Sequence, residues 1–318
     1  MQLHPPKLCT LPLILVAAFI WVSCGESPER SPEIAVEDQV QAVLLVQNMD
    51  FDPAHKDSIS GSYEQKSSME VPANLAPQNK WVMFEGPVLE NDVVAYRIYM
   101  DSRHRYDIYA KSVSDLVMDT VGWNYHDIMD WGSDVLKVGS SLGMGSPACW
   151  NGDTLYTLSE ADRKQVEIVE DTETSATVRF SFEGLRVGAH QFSLQQDWSI
   201  QAGSPWSKVC LSVIEGELPE DLSFATGIVN HGLESRQIST ASKAMAYTWG
   251  KQSFHEENLG MAVAIPGEEE LTSLPVPDSH AFLLPTSAEG TCYEFMAAWE
   301  RGPAAVSTEE EFISLMKK

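Results

Sequence analysis

Beyond about residue 80, hydrophobic and polar positions alternate along much of the chain. Val94, Tyr96, Ile98 and Met100 alternate with Ala95, Arg97 and Tyr99. Asp101-Ser102 begins a turn, and Tyr106-Asp107-Ile108-Tyr109 starts a return strand. The cleanest alternation places Ala176, Val178, Phe180 and Phe182 on one face and Thr177, Arg179 and Ser181 on the other. Phe192, Leu194, Trp198 and Ile200 follow, then Val209, Leu211 and Val213. Glu183-Gly184 and Ala202-Gly203-Ser204-Pro205 punctuate these runs. Successive period-two segments with short turns predict an all-β, antiparallel sandwich. One helix is predicted, at the C-terminus. Ser307 with Glu310 reads as its capping box, Val306 as the staple, and Phe312, Leu315 and Met316 as its apolar face.

Residues 24–79 lack this pattern and read as a Glu-, Ser-, Pro- and Gln-rich tether and lead-in. One apolar patch interrupts them, Val40 to Val46, with the makings of a short strand or helix. The dense domain is expected to span 80–318. Ahead of the tether, Lys7 precedes an apolar run from Leu11 to Val22, then Ser23-Cys24-Gly25. That run suits a secretory signal over 1–23 and falls short of the ~20 residues of a membrane-spanning helix. A Cys after a small residue resembles a bacterial lipobox, with Cys24 lipidated. The expected location is the cell envelope, at the outer membrane, held by the lipid anchor alone. Beyond Cys24 remain Cys149, Cys210 and Cys292, with no CxxC spacing. Three thiols allow at most one disulfide, and buried free thiols are the default reading.

Charge narrows the partners. Against 46 Asp and Glu stand 21 Lys and Arg, a net −25. No basic stripe is available for phosphates, which excludes nucleic acid.

The candidate chemistry gathers in Gly122–Trp150, which has neither clean helical nor clean strand periodicity. It holds Tyr125 beside His126, the acids Asp127, Asp130 and Asp134, Lys137, five glycines, and Trp123, Trp131 and Trp150. A long aromatic loop in a compact domain is commonly functional, the bland alternative being a segment packed over a sheet edge. Arg97 and Arg105 offer planar forks for a carboxylate, or else structural ion pairs with Glu90 or Asp92. His126 with Tyr125 is a candidate proton-transfer pair, or else a satisfied loop histidine. The two share a site only if the backbone there is irregular, since neighbours in an extended segment face opposite ways. No cofactor is called for, although His126, Asp130 and Asp134 could ligate a divalent metal. His255-Glu256-Glu257 lacks the second His of a zinc motif and reads as solvated. No GxSxG elbow is present.

Taken in order, Glu90-Asn91-Asp92, Arg97, Tyr125-His126, Trp131-Gly132, Asp134, Lys137-Val138-Gly139, Gly143, Gly145 and Trp299 before the final helix resemble the DUF4861 family of exported bacterial proteins. Those proteins occur beside polysaccharide-degrading enzymes. The resemblance covers about residues 80 to 318, with Met144 standing where a Cys is frequent. It implies an antiparallel β-supersandwich similar to galactose-mutarotase-like folds. For one branch it implies an oligosaccharide dehydratase acting on ulvan fragments. Water would leave a non-reducing-end uronic acid, giving a 4,5-unsaturated end. On that reading the partner is an anionic oligosaccharide, His126 is the base, and Tyr125 or Tyr99 is the acid. Arg97, Arg105, Lys137 and His231 bind the sugar, with Trp131, Trp150 and Trp299 as stacking surfaces. The alternatives are a non-catalytic glycan-binding lipoprotein and a sugar epimerase or mutarotase.

Overall fold

The computed structural model describes residues 1–2, 39–287 and 290–318. The signal segment and the lipidation site Cys24 lie outside the described residues. The fold is all-β, made of antiparallel sheets packed as a sandwich, with one short C-terminal helix. Among the described residues no helix is long and apolar enough to cross a membrane.

The largest sheet has nine strands, and the predicted alternating segment lies two strands from its centre. Ser175–Val187 pairs with His190–Gln201 and Arg163–Asp171. Val178, Phe180 and Phe182 are fully buried, while Thr177, Arg179 and Ser181 are half-buried on the outer face. A five-stranded sheet packs on its inner face. In spatial order this site sheet runs Val40–Val43, Val88–Asn91, Ala95–Ile98, Tyr106–Lys111 and Gly132–Asp134. The layers meet through aromatic edges, Tyr96 on Phe295 at 4.9 Å and Tyr106 on Trp198 at 4.9 Å. A third sheet centres on Ser223–Val229 and Ser279–Leu283.

Among the described residues the sheets begin at Val40 rather than near Lys80. Val40–Val43 pairs antiparallel with Val88–Asn91, and Val40, Ala42, Leu44 and Val46 are buried in the main core. Leu45–Gln47 pairs with Tyr63–Gln65. The apolar patch is a pair of sheet strands, and 40–79 is structural rather than tether.

The helix, Glu309–Met316, starts one residue later than the sequence pattern indicates. Thr308 accepts from Glu311 N, and the Glu311 carboxylate accepts from Thr308 N, closing the box. Ser307 adds its own bonds to Glu311, and because Ser307 with Glu310 and Thr308 with Glu311 both fit the capping-box spacing, the sequence pattern reads one residue early. Phe312 seats on the large sheet over Gly260, where an added Cβ would sit 2.5 Å from the ring. Cys210 and Cys292, cross-strand partners in the large sheet, form a disulfide, so the free-thiol default holds only for Cys149. Burial pushes the Cys149 thiol up to about 12.

Between the layers runs a buried polar chain. Lys164 Nζ donates to His104 Nδ1 at 3.0 Å and to Met100 O at 2.9 Å. His104 Nε2 meets Gln196 Oε1 at 2.8 Å, and Gln196 Nε2 donates to the Tyr106 hydroxyl at 2.7 Å. Burial pulls Lys164 down to about 7. The unfolded lysine keeps its proton to about 10.4. Between those values the unfolded chain binds more protons than the folded one, so this group adds stability as pH rises. The melting temperature is expected to gain a component that climbs from pH 7 toward pH 10. Lys164→Met should flatten that climb relative to wild type in a melting series across pH, and parallel curves would refute it.

Candidate active site

Sheet register builds the site. Arg97 is the direct cross-strand partner of Asp107, and Tyr109 of Asp134. Tyr99 lies two residues from Arg97, and Tyr109 two from Asp107, so period-two alternation collects all five on one face. That face is sealed by the 83–85 turn and the 112–131 segment. Phe84, Met118, Val121 and Tyr125 form a second apolar cluster there with Val43, Val88 and Tyr109.

Inside this cluster Arg97 is 1% exposed and fully engaged. Its Nε and Nη2 reach Asp107 Oδ2 at 3.1 and 2.7 Å, and Nη2 reaches Asp134 Oδ2 at 3.0 Å. Its Nη1 donates to Phe84 O at 3.1 Å and to the Tyr125 hydroxyl at 3.4 Å. The Tyr99 hydroxyl donates to Asp107 at 2.8 Å, and the Tyr99 ring lies 4.2 Å from the guanidinium carbon. Burial, and then the neighbouring Asp134, hold the Asp107 carboxyl above the usual range. Next to this group, Arg103 pairs with Glu85 and Asp101 and stacks on the outer part of Tyr99.

Asp134 carries the network to the surface. The same Oδ2 that Arg97 holds lies 3.3 Å from His126 Nδ1. The His126 side chain is 59% exposed, whereas Asp134 is 3% exposed. The hydrogen bond to Asp134 raises the His126 pKa above its ordinary value, with partial burial opposing. A buried carboxylate fixing Nδ1 of a largely exposed imidazole is the arrangement of an oriented general base. The Tyr125 and His126 rings are 4.5 Å apart, so the backbone is irregular there as the pairing requires.

Around His126 the segment after Gly132 gathers a rim. His255 Nε2 meets Ser133 Oγ at 2.9 Å, and Phe254 N donates to Val135 O at 2.6 Å. Lys137 is exposed, with its ammonium 4.8 Å from the Phe254 ring centre. His231 lies between Gln252 O at 3.1 Å and Lys137 O at 2.9 Å.

Residues 26–318 match the family model DUF4861, described as a domain of unknown function. The chain belongs to the DUF4861 family. No curated protein matches it.

In this DUF4861 chain the predicted site residues divide into a buried set and a rim. Arg97, Tyr99, Tyr125 and His126 do converge, but only His126 faces solvent. Arg97 cannot take a ligand carboxylate, because two carboxylates already occupy it. Its ion pairs are with Asp107, Asp134 and, at 3.9 Å, Glu85, not with Glu90 or Asp92. Glu90 instead pairs with buried Lys111 at 2.8 Å, and Asp92 caps Gly203 N at 2.6 Å. Tyr99 and Tyr125 turn their hydroxyls into the sealed network, and burial pushes both phenols up, which removes them as acids for an outside leaving group. Trp299 is buried, donating to Glu257 at 2.8 Å, and is no stacking surface. Trp150 packs on Leu142 and Ala148 in the third sheet, while Trp131 packs partly exposed on Tyr109 at 6.2 Å. Arg105 donates to Gly139 O at 2.9 Å. His231 and Lys137 remain on the rim. Asp130 does not join His126 and Asp134, and among the described residues no three His, Cys, Asp or Glu side chains converge as metal ligands. His255 is bonded rather than freely solvated.

Asp107 and Phe254 escape the sequence reading, and His255, singled out there, is read only as solvated. Asp107 shows itself only through register, as the cross-strand partner of Arg97. Phe254 and His255 lie in a loop with no periodic signal, and chain return alone brings them to Ser133 and Val135.

Arg97→Ala should strand two buried carboxylates and destabilise the domain by about 3–5 kcal/mol. Thermal melting checks this. Wild-type melting with selectively weakened sugar binding would restore a ligand-facing role for Arg97.

Proposed function

We propose that this DUF4861 chain is a carbon–oxygen lyase that removes water from the non-reducing-end uronate of an anionic oligosaccharide. The observation that carries the reading is the exposed His126 imidazole held by the buried Asp134 carboxylate, beside the cation Lys137 and the exposed ring of Phe254. Lys137 neutralises the uronate carboxylate, which makes the C5 proton more acidic. His126 Nε2 takes that proton as the C4–C5 double bond forms and the C4–O bond breaks. With both tyrosines turned inward, the imidazolium returns the proton to the departing hydroxyl, which leaves as water. One imidazole then serves as base and acid in turn, a role suited to a pKa raised toward neutrality. Asp134 stabilises the imidazolium between the two transfers.

Location belongs to the same reading: an envelope lipoprotein anchored through Cys24 at the outer membrane. The Cys210–Cys292 disulfide supports an oxidising compartment. A non-catalytic glycan-binding role is the second reading, favoured by the exposed aromatic beside a cation.

Formation of the conjugated enoate is followed by ultraviolet absorbance with glucuronate-ended oligosaccharides. His126→Ala should cut turnover by roughly 10²–10⁴-fold while the protein stays folded. Because the neutral imidazole is the base, turnover should rise with pH through the raised His126 value. Asp134→Asn removes the group that raises it, so this acid limb should move to lower pH; Asp107 still pairs Arg97 in that variant. A folded, fully active His126→Ala protein sinks the assignment. Sugar binding with no absorbance rise would leave the second reading.

A further inference from the structure

From the geometry we infer that Phe254 is the specificity-determining platform of this site, stacking on the pyranose ring of the uronate that His126 addresses. The inference rests on the reading of His126 as the reactive group. Phe254 keeps 43% of its surface exposed, although the loop that bears it is fastened on every side. Its own N–H donates to Val135 O, and the next side chain, His255, bonds Ser133. Before it, Gln252 is buried and donates to Leu259 O at 2.6 Å, while its carbonyl faces His231. After it, the Glu257 carboxylate accepts from Trp299 Nε1 at 2.8 Å and Arg301 Nη1 at 2.9 Å. Ser253 Oγ closes the turn by accepting from Glu257 N at 2.8 Å. Glu256 at the tip adopts φ +64°, a left-handed conformation that costs free energy in a non-glycine residue. A strained, pinned loop that offers an aromatic side chain to water gains nothing for the core.

Position gives the ring its use. The His126 ring centre lies 6.4 Å from that of Phe254, at an interplanar angle of 34°. Lys137 holds its ammonium 4.8 Å from the same ring. An aromatic face carries negative potential and attracts polarised C–H groups, which the axial hydrogens of a pyranose supply. A sugar laid on Phe254 would keep its carboxylate near Lys137 and its C5–H near His126. The site thereby selects a pyranose acid over an acyclic hydroxy acid of equal charge. The tryptophans of the 122–150 segment do not fill this role, since Trp123 packs on Tyr63 and Tyr125, Trp131 on Tyr109 and Trp150 on the third sheet.

The test uses the full chain and a tetrasaccharide ending in glucuronate, with its carboxyl-reduced counterpart as control. Phe254→Ala should raise KM about tenfold, the loss expected for one aromatic contact of about 1.4 kcal/mol, with a smaller fall in kcat. Phe254→Trp should recover the wild-type KM. The acid limb of the pH profile and the melting temperature should stay where they are, because the dyad is intact. Lys137→Ala should weaken binding of the acid but not of the reduced sugar. An unchanged KM in Phe254→Ala, or a raised KM accompanied by equal losses of kcat and melting temperature without rescue by Trp, overturns the platform. Calorimetric binding separates this from the failure of the elimination reading. Tetrasaccharide binding that depends on Phe254 without enoate formation refutes the lyase and keeps the platform. Enoate formation at unchanged KM in Phe254→Ala keeps the lyase and refutes the platform. A wild-type chain that binds no tetrasaccharide refutes both.

Discussion

One carboxylate oxygen, Asp134 Oδ2, is held from inside by Arg97 and from outside by His126. Every feature of the proposed site depends on that double engagement. A buried guanidinium costs several kcal/mol in lost hydration unless it is surrounded by partners. Here Asp107, Asp134, Phe84 O and two tyrosine hydroxyls surround it. Two carboxylates on one cation leave the cluster with an excess of negative charge. Burial, and then Asp134, hold the Asp107 carboxyl above its usual range, and the hydrogen bond to Asp134 raises the His126 pKa. The carboxylate of the interior ion pair thus sets the protonation behaviour of a surface imidazole by direct contact, 3.3 Å from His126 Nδ1.

The same network explains which parts of the fold could be read from sequence. In Ser175–Val187 one face meets the core and the other meets water, so the residue types alternate and the strand is legible. In Ala95–Ile98 both faces are buried, yet the outward one carries Arg97. Alternation reports polarity, and it cannot distinguish a polar residue facing water from one facing a lid. The lid is the 112–131 segment, whose aperiodic sequence announces no packing partner. Val40–Val43 was obscured differently. Its partner Val88–Asn91 lies across a long sequence gap, and the polar composition around it resembles a linker. Contacts so distant leave no local trace.

Within the site, legibility follows chain distance. Tyr125, His126, Asp134 and Lys137 sit inside one short window, and their residue types alone suggested proton transfer. Asp107 lies on a neighbouring strand and required the register. Phe254 and His255 arrive from more than a hundred residues away and required the fold. The inward turn of Tyr99 and Tyr125 is a matter of burial, which residue type does not reveal, since a phenol suits a wet pocket and a dry core equally.

The glycines of the central segment gain a specific meaning at Gly132. It begins the strand that carries Asp134 and has φ +136°, and an added Cβ would lie 1.9 Å from Ala110 O. No rearrangement of a flexible side chain relieves that clash, because the obstacle is backbone. Close approach at Gly132 brings Asp134 opposite Tyr109, two residues beyond Asp107 along the neighbouring strand, and so within reach of Arg97. The glycine therefore acts as a spacer of zero width rather than as a hinge. A rigid seat is what the chemistry requires: a carboxylate shared between a buried cation and an exposed imidazole tolerates little displacement before one of the two bonds is lost.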